Sequence, residues 1–131
     1  MIKTLFWLWL TVYHEARGES AEGQKAVVKV ILNRADKKGW SIEDIVKSRK
    51  QFSCYNKGLQ DPSVWIREIN SALTVMQNCR DGYDEWMRGD RLQGATHYFV
   101  IKGMVDGKAP YWAANMTFII EILGHRFYRE T

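Results

Sequence analysis

Tyr13-His14-Glu15-Ala16-Arg17-Gly18-Glu19 sets two carboxylates and an arginine where an apolar helix gives way to glycine. Upstream, Leu5, Trp9, Val12 and Ala16 recur at helical spacing, so a first helix is expected over roughly Lys3 to Ala16, ended by Gly18 in a left-handed cap. If the helical phase continues through the motif, Glu15 and Glu19 share one face, four residues apart. Like charges that close repel, so one of them can hold its proton near neutral pH and act as a general acid. A solvated pair bridged to Arg17 is the other reading, and this stretch alone leaves both open.

Outward from the motif the chain stays helical. A second helix is expected from about Glu22 to Lys38, with Ala26, Val27, Val30, Ile31 and Arg34 on one stripe, and Lys25, Lys29 and Asp36 toward water. Gly39 stops it, and Ser41 then caps a short third helix whose first turn carries Glu43 and Asp44. Gln51-Phe52-Ser53-Cys54-Tyr55 reads as extended or irregular, and Asn56-Lys57-Gly58 as a turn. A long helix follows, with Asp61 as N-cap, Pro62 at its first position and Trp65, Ile66, Ile69, Ala72, Leu73 and Met76 buried. It is expected to fray near Asn78, with Asp81-Gly82 as a turn and Trp86 and Met87 in a short helix or loop before Gly89-Asp90.

From Ala95 the periodicity changes. Thr96-His97-Tyr98-Phe99-Val100 has the β-branched and aromatic content of a strand, and Asp106-Gly107 marks a turn before Pro110. Phe118 to Tyr128 reads as one or two strands bent at Gly124, with a helix as far as Leu123 as the competing reading. The expected fold class is α+β, mostly helical, with a small β-region beside a groove.

At 131 residues the chain fits a single domain, 1–131, burying roughly two thirds of its extended surface. Apolar residues at 46% and charged residues at 26% are the balance of a globular protein and exclude disordered or fibrous classes. Nineteen Lys and Arg against fifteen Asp and Glu give a net charge of +4, which suits an anionic partner. The basic residues are dispersed, with Lys47 to Lys50 the one dense run, so a solvated helix end is favoured over a nucleic-acid groove and no nucleic-acid partner is expected. Cys54 and Cys79 do not make a disulfide scaffold and are read as reduced thiols, a bridge staying open if the protein is secreted. The apolar run Leu5 to Leu10 lacks a small-residue cleavage site after it and is too short to span a bilayer, so neither a cleavable leader nor membrane insertion is expected.

Beyond these generic features, Tyr13 to Glu19, Glu22-Gly23-Gln24-Lys25-Ala26-Val27 and Val30-Ile31-Leu32-Asn33-Arg34 resemble the opening block of the bacterial and phage cell-wall hydrolases typified by the spore-cortex-lytic enzymes. The resemblance continues through Gln51-Phe52-Ser53, Gly94-Ala95-Thr96-His97-Tyr98-Phe99, Pro110 with Trp112, and Gly124-His125-Arg126-Phe127-Tyr128, from about Tyr13 to Arg129. It implies a lysozyme-like domain that cleaves peptidoglycan glycan strands as a lytic transglycosylase, with hydrolytic muramidase action as the alternative. The matched position makes Glu15 the catalytic acid, and no cofactor is implied. His14 stands where the family often has a small residue, and Ser20 where a proline is common. A compact basic form without wall-binding repeats is more like a bacteriophage endolysin. That implies a monomer made in the host cytoplasm, released at lysis with a holin-type partner, and acting in the periplasm or cell wall.

The residue chemistry fits this implication. Cleaving a β-1,4 glycosidic bond needs a proton for the leaving oxygen, and a glutamic acid in a partly dry cleft can keep one. Glu19 is the candidate helper, whether by orienting substrate, by acting on Glu15 or by clamping Arg17 or Arg34. Gln24, Gln51, Ser53, His97, Tyr98 and Trp112 are candidate substrate ligands through amide, hydroxyl or aromatic contacts. His97 and Tyr98 alternate along a strand, so one of them is expected to face the groove, with Tyr98 favoured. Arg17, Gly18, Gly23, Arg34 and His125 are expected to shape the site, Gly23 by allowing close helix packing. No metal is expected, because the position four residues after His14 is Gly18 rather than a second histidine.

Overall fold

The computed structural model describes residues 2–48, 69–104 and 107–131. Four α-helices come first: α1 (Ile2–Ala16), α2 (Ala21–Lys38), α3 (Ile42–Lys47) and α4 (Ile69–Met87). Three strands follow, β1 (His97–Val100), β2 (Met116–Ile122) and β3 (His125–Glu130), with short 3-10 turns at Leu92–Gly94 before β1 and at Ile101–Gly103 and Tyr111–Asn115 between β1 and β2. Ser20 caps α2 by accepting from the Gly23 N–H at 3.0 Å. Gly39, at φ 69°, closes the other end by donating its N–H to the Ala35 carbonyl. Ser41 caps α3 as its sequence predicts, accepting from the Asp44 N–H at 3.1 Å.

The helices enclose one core of Leu8, Val12 and Tyr13 from α1, Val27, Val28 and Ile31 from α2, Ile45 and Val46 from α3, and Val75, Cys79 and Trp86 from α4. Each of these aliphatic side chains contributes roughly 2 kcal/mol by leaving water. A smaller cluster of Ala26, Val30, Ala95 and Phe127 joins the other side of α2 to the sheet, and Tyr98 packs against both clusters. Trp9 fastens α1 to α4 by donating its indole N–H to the Ala72 carbonyl at 3.0 Å.

The helix expected to fray near Asn78 continues to Met87. Its buried face is Ala72, Val75, Cys79, Gly82 and Trp86, whereas Leu73 and Met76, expected inside, are exposed. Asp81-Gly82 is therefore not a turn. A Cβ at Gly82 would lie 3.2 Å from the Lys25 Cα and 3.2 Å from the Val28 Cβ, so glycine sits there because α2 and α4 meet backbone to backbone. The expected Asp61 cap, Pro62, Trp65 and Ile66 fall outside the described residues. Lys29, expected in water, is only 4% exposed. Its ammonium donates to Glu85 at 2.8 Å and Asp90 at 2.9 Å, while Lys25 donates to the other Glu85 oxygen at 2.8 Å. A buried charge survives only when paired, and here the pairing ties α2 to α4.

The C-terminal segment forms two strands, not a helix. The sheet order is β1-β3-β2, all antiparallel, with His97 opposite Tyr128, Tyr98 opposite Phe127, and an irregularity between Phe118 and Ile120 on β2. Leu123 and Gly124, at φ 43° and 88°, make the two-residue turn between β2 and β3, and successive positive φ values suit the twist of a tight hairpin. The architecture is the expected α+β arrangement, mostly helical with a small β-region.

Candidate active site

Glu15 lies half-buried in the last turn of α1. The helix ends at Ala16, so its phase does not carry through the motif and Glu19 is not placed by helical spacing. The chain instead turns, with the Glu19 N–H donating to the Ala16 carbonyl at 3.0 Å. Gly18 is absent from the left-handed region, and the space where its Cβ would be is open, so the expected left-handed cap does not form there. Gly23 makes room for the motif rather than for another helix, since a Cβ there would meet the Ser20 Oγ at 3.3 Å and the Glu19 Cβ at 3.4 Å.

Gln24 holds this turn from beneath. It is 2% exposed, and its amide nitrogen lies 3.1 Å from the Ala16 carbonyl, 3.3 Å from that of Arg17 and 3.4 Å from that of Glu19. Its amide oxygen accepts from Asn78 at 2.8 Å. Those contacts make Gln24 a brace for the loop rather than a side chain reaching outward. Arg17 lays its guanidinium over the Tyr13 ring at 5.1 Å.

The Glu19 carboxylate faces His125, with Oε2 3.4 Å from Nδ1. His125 is 2% exposed and packs beside the rings of Tyr98 and Phe127, at centroid distances of 5.8 Å and 6.3 Å. The motif on the helical side and the Gly124-His125-Arg126-Phe127-Tyr128 hairpin are thus joined at one histidine. Tyr98 also stacks on Phe127 at 5.5 Å.

Beyond Tyr98 lies an open cavity of about 390 Å³ lined by Arg34, Lys37, Lys38, Thr96, His97, Tyr98, Trp112 and Glu130. Both His97 and Tyr98 contribute to it, against the expectation that strand alternation admits one, because the cavity wraps the start of β1 instead of lying on one face. Trp112, on the 3-10 turn after Pro110, meets His97 at 5.2 Å and Phe99 at 5.9 Å. Arg34 donates its Nε to the Thr96 carbonyl, and burial lowers its pKa from the usual arginine range. Burial and the nearby Arg34 charge push His97 down to about 4, so it is neutral at physiological pH.

A second cavity, of about 370 Å³, lies on the other side of the motif, lined by Arg17, Glu19, Ala21, Gln24, Asn70, Ser71, Thr74, Val75 and Asn78. Asn70, Ser71, Thr74 and Asn78 were not among the residues singled out from sequence, though their recurrence along one helix face is a legible polar stripe. Lys37, Lys38, Thr96 and Glu130 were likewise missed, since helix-end lysines and a strand-end glutamate carry no signal until the sheet folds against α2. Gln51 and Ser53 lie outside the described residues. Cys79 is buried, which pushes its thiol up to about 12 and leaves it unreactive. Among the described residues no group of three or more His, Cys, Asp or Glu side chains could hold a metal ion, and no helix is long and apolar enough to cross a membrane.

A family model described as Cell Wall Hydrolase matches residues 18–128. The fold is similar to the catalytic domain of the germination-specific lytic transglycosylase SleB from Bacillus anthracis, with a TM-score of 0.72 at 21% identity over 98% of this chain and 96% of that one. No curated protein gives a significant match.

Proposed function

The chain belongs to the cell wall hydrolase family, and we propose that it cleaves the glycan strand of peptidoglycan at the MurNAc-GlcNAc β-1,4 bond by a lytic transglycosylase mechanism. Glu15 protonates the glycosidic oxygen as the bond from the anomeric carbon breaks. The carboxylate left behind then takes the proton of the muramic acid C6 hydroxyl, whose oxygen closes on the anomeric carbon to give a 1,6-anhydro end. One carboxylate serves both steps, and no water is consumed. The observation that carries this reading is the contact of Glu19 with buried His125, 3.4 Å apart. It gives the second motif carboxylate a neighbour on the hairpin, although that carboxylate also lines the second cavity, and it favours a reaction that needs one carboxylate over hydrolysis, which needs a second to activate water or attack the sugar. The Gln24 brace under Ala16, Arg17 and Glu19 supports the same reading, because it steadies the turn that follows Glu15.

The test is to digest purified peptidoglycan and weigh the released muropeptides. Products lighter by one water, with no new reducing end, are expected from the wild type. Glu15→Gln should keep the fold and lower turnover roughly a hundredfold or more, since the amide has no transferable proton. Hydrated, reducing muramic acid ends would replace this mechanism with a muramidase one. Intact glycan with released stem peptides would overturn glycosidic cleavage altogether.

A further inference from the structure

The second cavity, beside Glu19, is walled by α4 with side chains of one chemical kind. Asn70, Thr74 and Asn78 recur four residues apart on one helix face, and Ser71 stands three residues before Thr74 on the same wall. These amides and hydroxyls offer both donors and acceptors without carrying a full charge. Asn78 donates to the Gln24 amide oxygen at 2.8 Å, which fixes its own amide through the nitrogen and leaves its oxygen as an acceptor. Apolar groups lie among the polar ones, Val75 at the floor, where it is 1% exposed, and Ala21 from the start of α2. Of the charged groups among the described lining residues, the Arg17 guanidinium lies over the Tyr13 ring at 5.1 Å and the Glu19 carboxylate faces His125 at 3.4 Å. A secondary amide needs a donor for its carbonyl and an acceptor for its N–H, and a methyl group beside it gains by leaving water. We propose that this cavity is a subsite for an N-acetyl group of the glycan strand, its amide read by the Asn70, Ser71, Thr74 and Asn78 wall and its methyl set against Val75 and Ala21. The assignment rests on the glycan-cleaving reading above and adds to it a chemical requirement, that the strand held beside Glu19 is N-acetylated.

An alanyl amide of a stem peptide has the same chemistry, so the test carries an arm for it. Four ligands are compared: a peptide-stripped glycan tetrasaccharide, the same compound with its acetyl groups replaced by formyl groups, the same compound with free amines, and the N-acetylated tetrasaccharide bearing stem peptides. Dissociation constants are measured in the Glu15→Gln background, which keeps the strands intact, alone and combined with Thr74→Val, Thr74→Ser or Ser71→Ala. The N-acetyl strand should bind roughly tenfold tighter than the free amine and about threefold tighter than the formyl compound, which keeps the amide but lacks the methyl. Thr74→Val keeps the shape of the wall without its hydroxyl and should reduce the preference over the amine about threefold, while Thr74→Ser should retain it. Equal affinity for the acetyl and amine strands, or a preference unchanged in both Thr74→Val and Ser71→Ala, would overturn the subsite. Tighter binding of the amine would assign the cavity to the Glu19 carboxylate and overturn it as well. An affinity gained from stem peptides and lost in Thr74→Val, with the acetyl preference untouched, would give the cavity to the peptide instead. Following cleavage of the same strands by the wild type keeps the two readings apart. Cleavage with no acetyl preference in binding removes only the subsite, while a Thr74-dependent acetyl preference without cleavage supports the subsite and removes the reaction.

Discussion

At the scale of single residues, the two motif glutamates have different surroundings despite their similar sequence setting. Glu15 ends a helix, whereas Glu19 sits on a turn and faces a buried histidine. Glu19→Gln is therefore expected to lower turnover less than Glu15→Gln while also lowering the denaturation midpoint, because the His125 contact weakens. Equal catalytic losses with unchanged stability would give Glu19 a direct chemical role. His97 makes a prediction of its own. Its folded pKa, about 4, lies below the ordinary 6.5, so between those values the unfolded chain binds more protons than the folded one. Stability should be complete above about pH 6.5 and fall as the pH drops toward about 4. Denaturant titrations over that range should show a shallower decline for His97→Asn than for the wild type.

At the scale of elements, the packing of α2 against α4 depends on a glycine that resembles a turn signal in sequence. Gly82→Ala is expected to destabilise by about 1 kcal/mol. The strain of a new Cβ against the Lys25 backbone, roughly 1–3 kcal/mol, outweighs the gain in helix propensity of up to about 1 kcal/mol. Gly18→Ala, by contrast, meets open space at ordinary dihedrals and should leave the thermal midpoint within about a degree or two of wild type. Thermal melts of the two variants side by side check both. A stabilised Gly82→Ala would mean that α2 can retreat, and that the close approach is incidental. Ser20 shows a related economy. Its φ of −65° is one that proline also adopts, so the serine keeps the backbone a proline would impose and adds a side-chain cap for α2.

At the scale of the molecule, Asn33 joins the helical part to the chain leading into the sheet. Its amide donates to the Arg91 and Ala95 carbonyls, both at 2.8 Å, and its oxygen accepts from the Trp86 indole at 2.8 Å. Arg34, the next residue, holds the Thr96 carbonyl, so two adjacent side chains set where β1 begins. Asn33→Ala would strand buried donors and acceptors and should cost roughly 2–4 kcal/mol. Because the cavity near Tyr98 is built across this junction, the variant should also lose glycan binding at temperatures where it is still folded. Calorimetric unfolding together with tetrasaccharide titration measures the two effects separately. A loss of stability with unaltered binding would show that the sheet keeps its place without this junction.

The helix stops and starts were legible locally: Gly39 takes the left-handed conformation that ends α2, Ser41 caps α3, and Leu123-Gly124 bends the last hairpin. Short-range sterics and single hydrogen bonds decide such features, and these are written in consecutive residues. The ordered blocks from Tyr13 to Arg129 likewise carried the family and the α+β class. What sequence alone did not carry was which polar side chains turn inward. Lys29 is buried because Glu85 and Asp90 arrive from a distant helix, and Gln24 braces the motif because its loop folds back over α2. Asp81-Gly82 stays helical because another backbone lies against it. Each of these outcomes depends on a partner more than fifty residues away or on the folded-back loop, so only the tertiary structure, which supplies charge pairs and close contacts over that separation, could decide them.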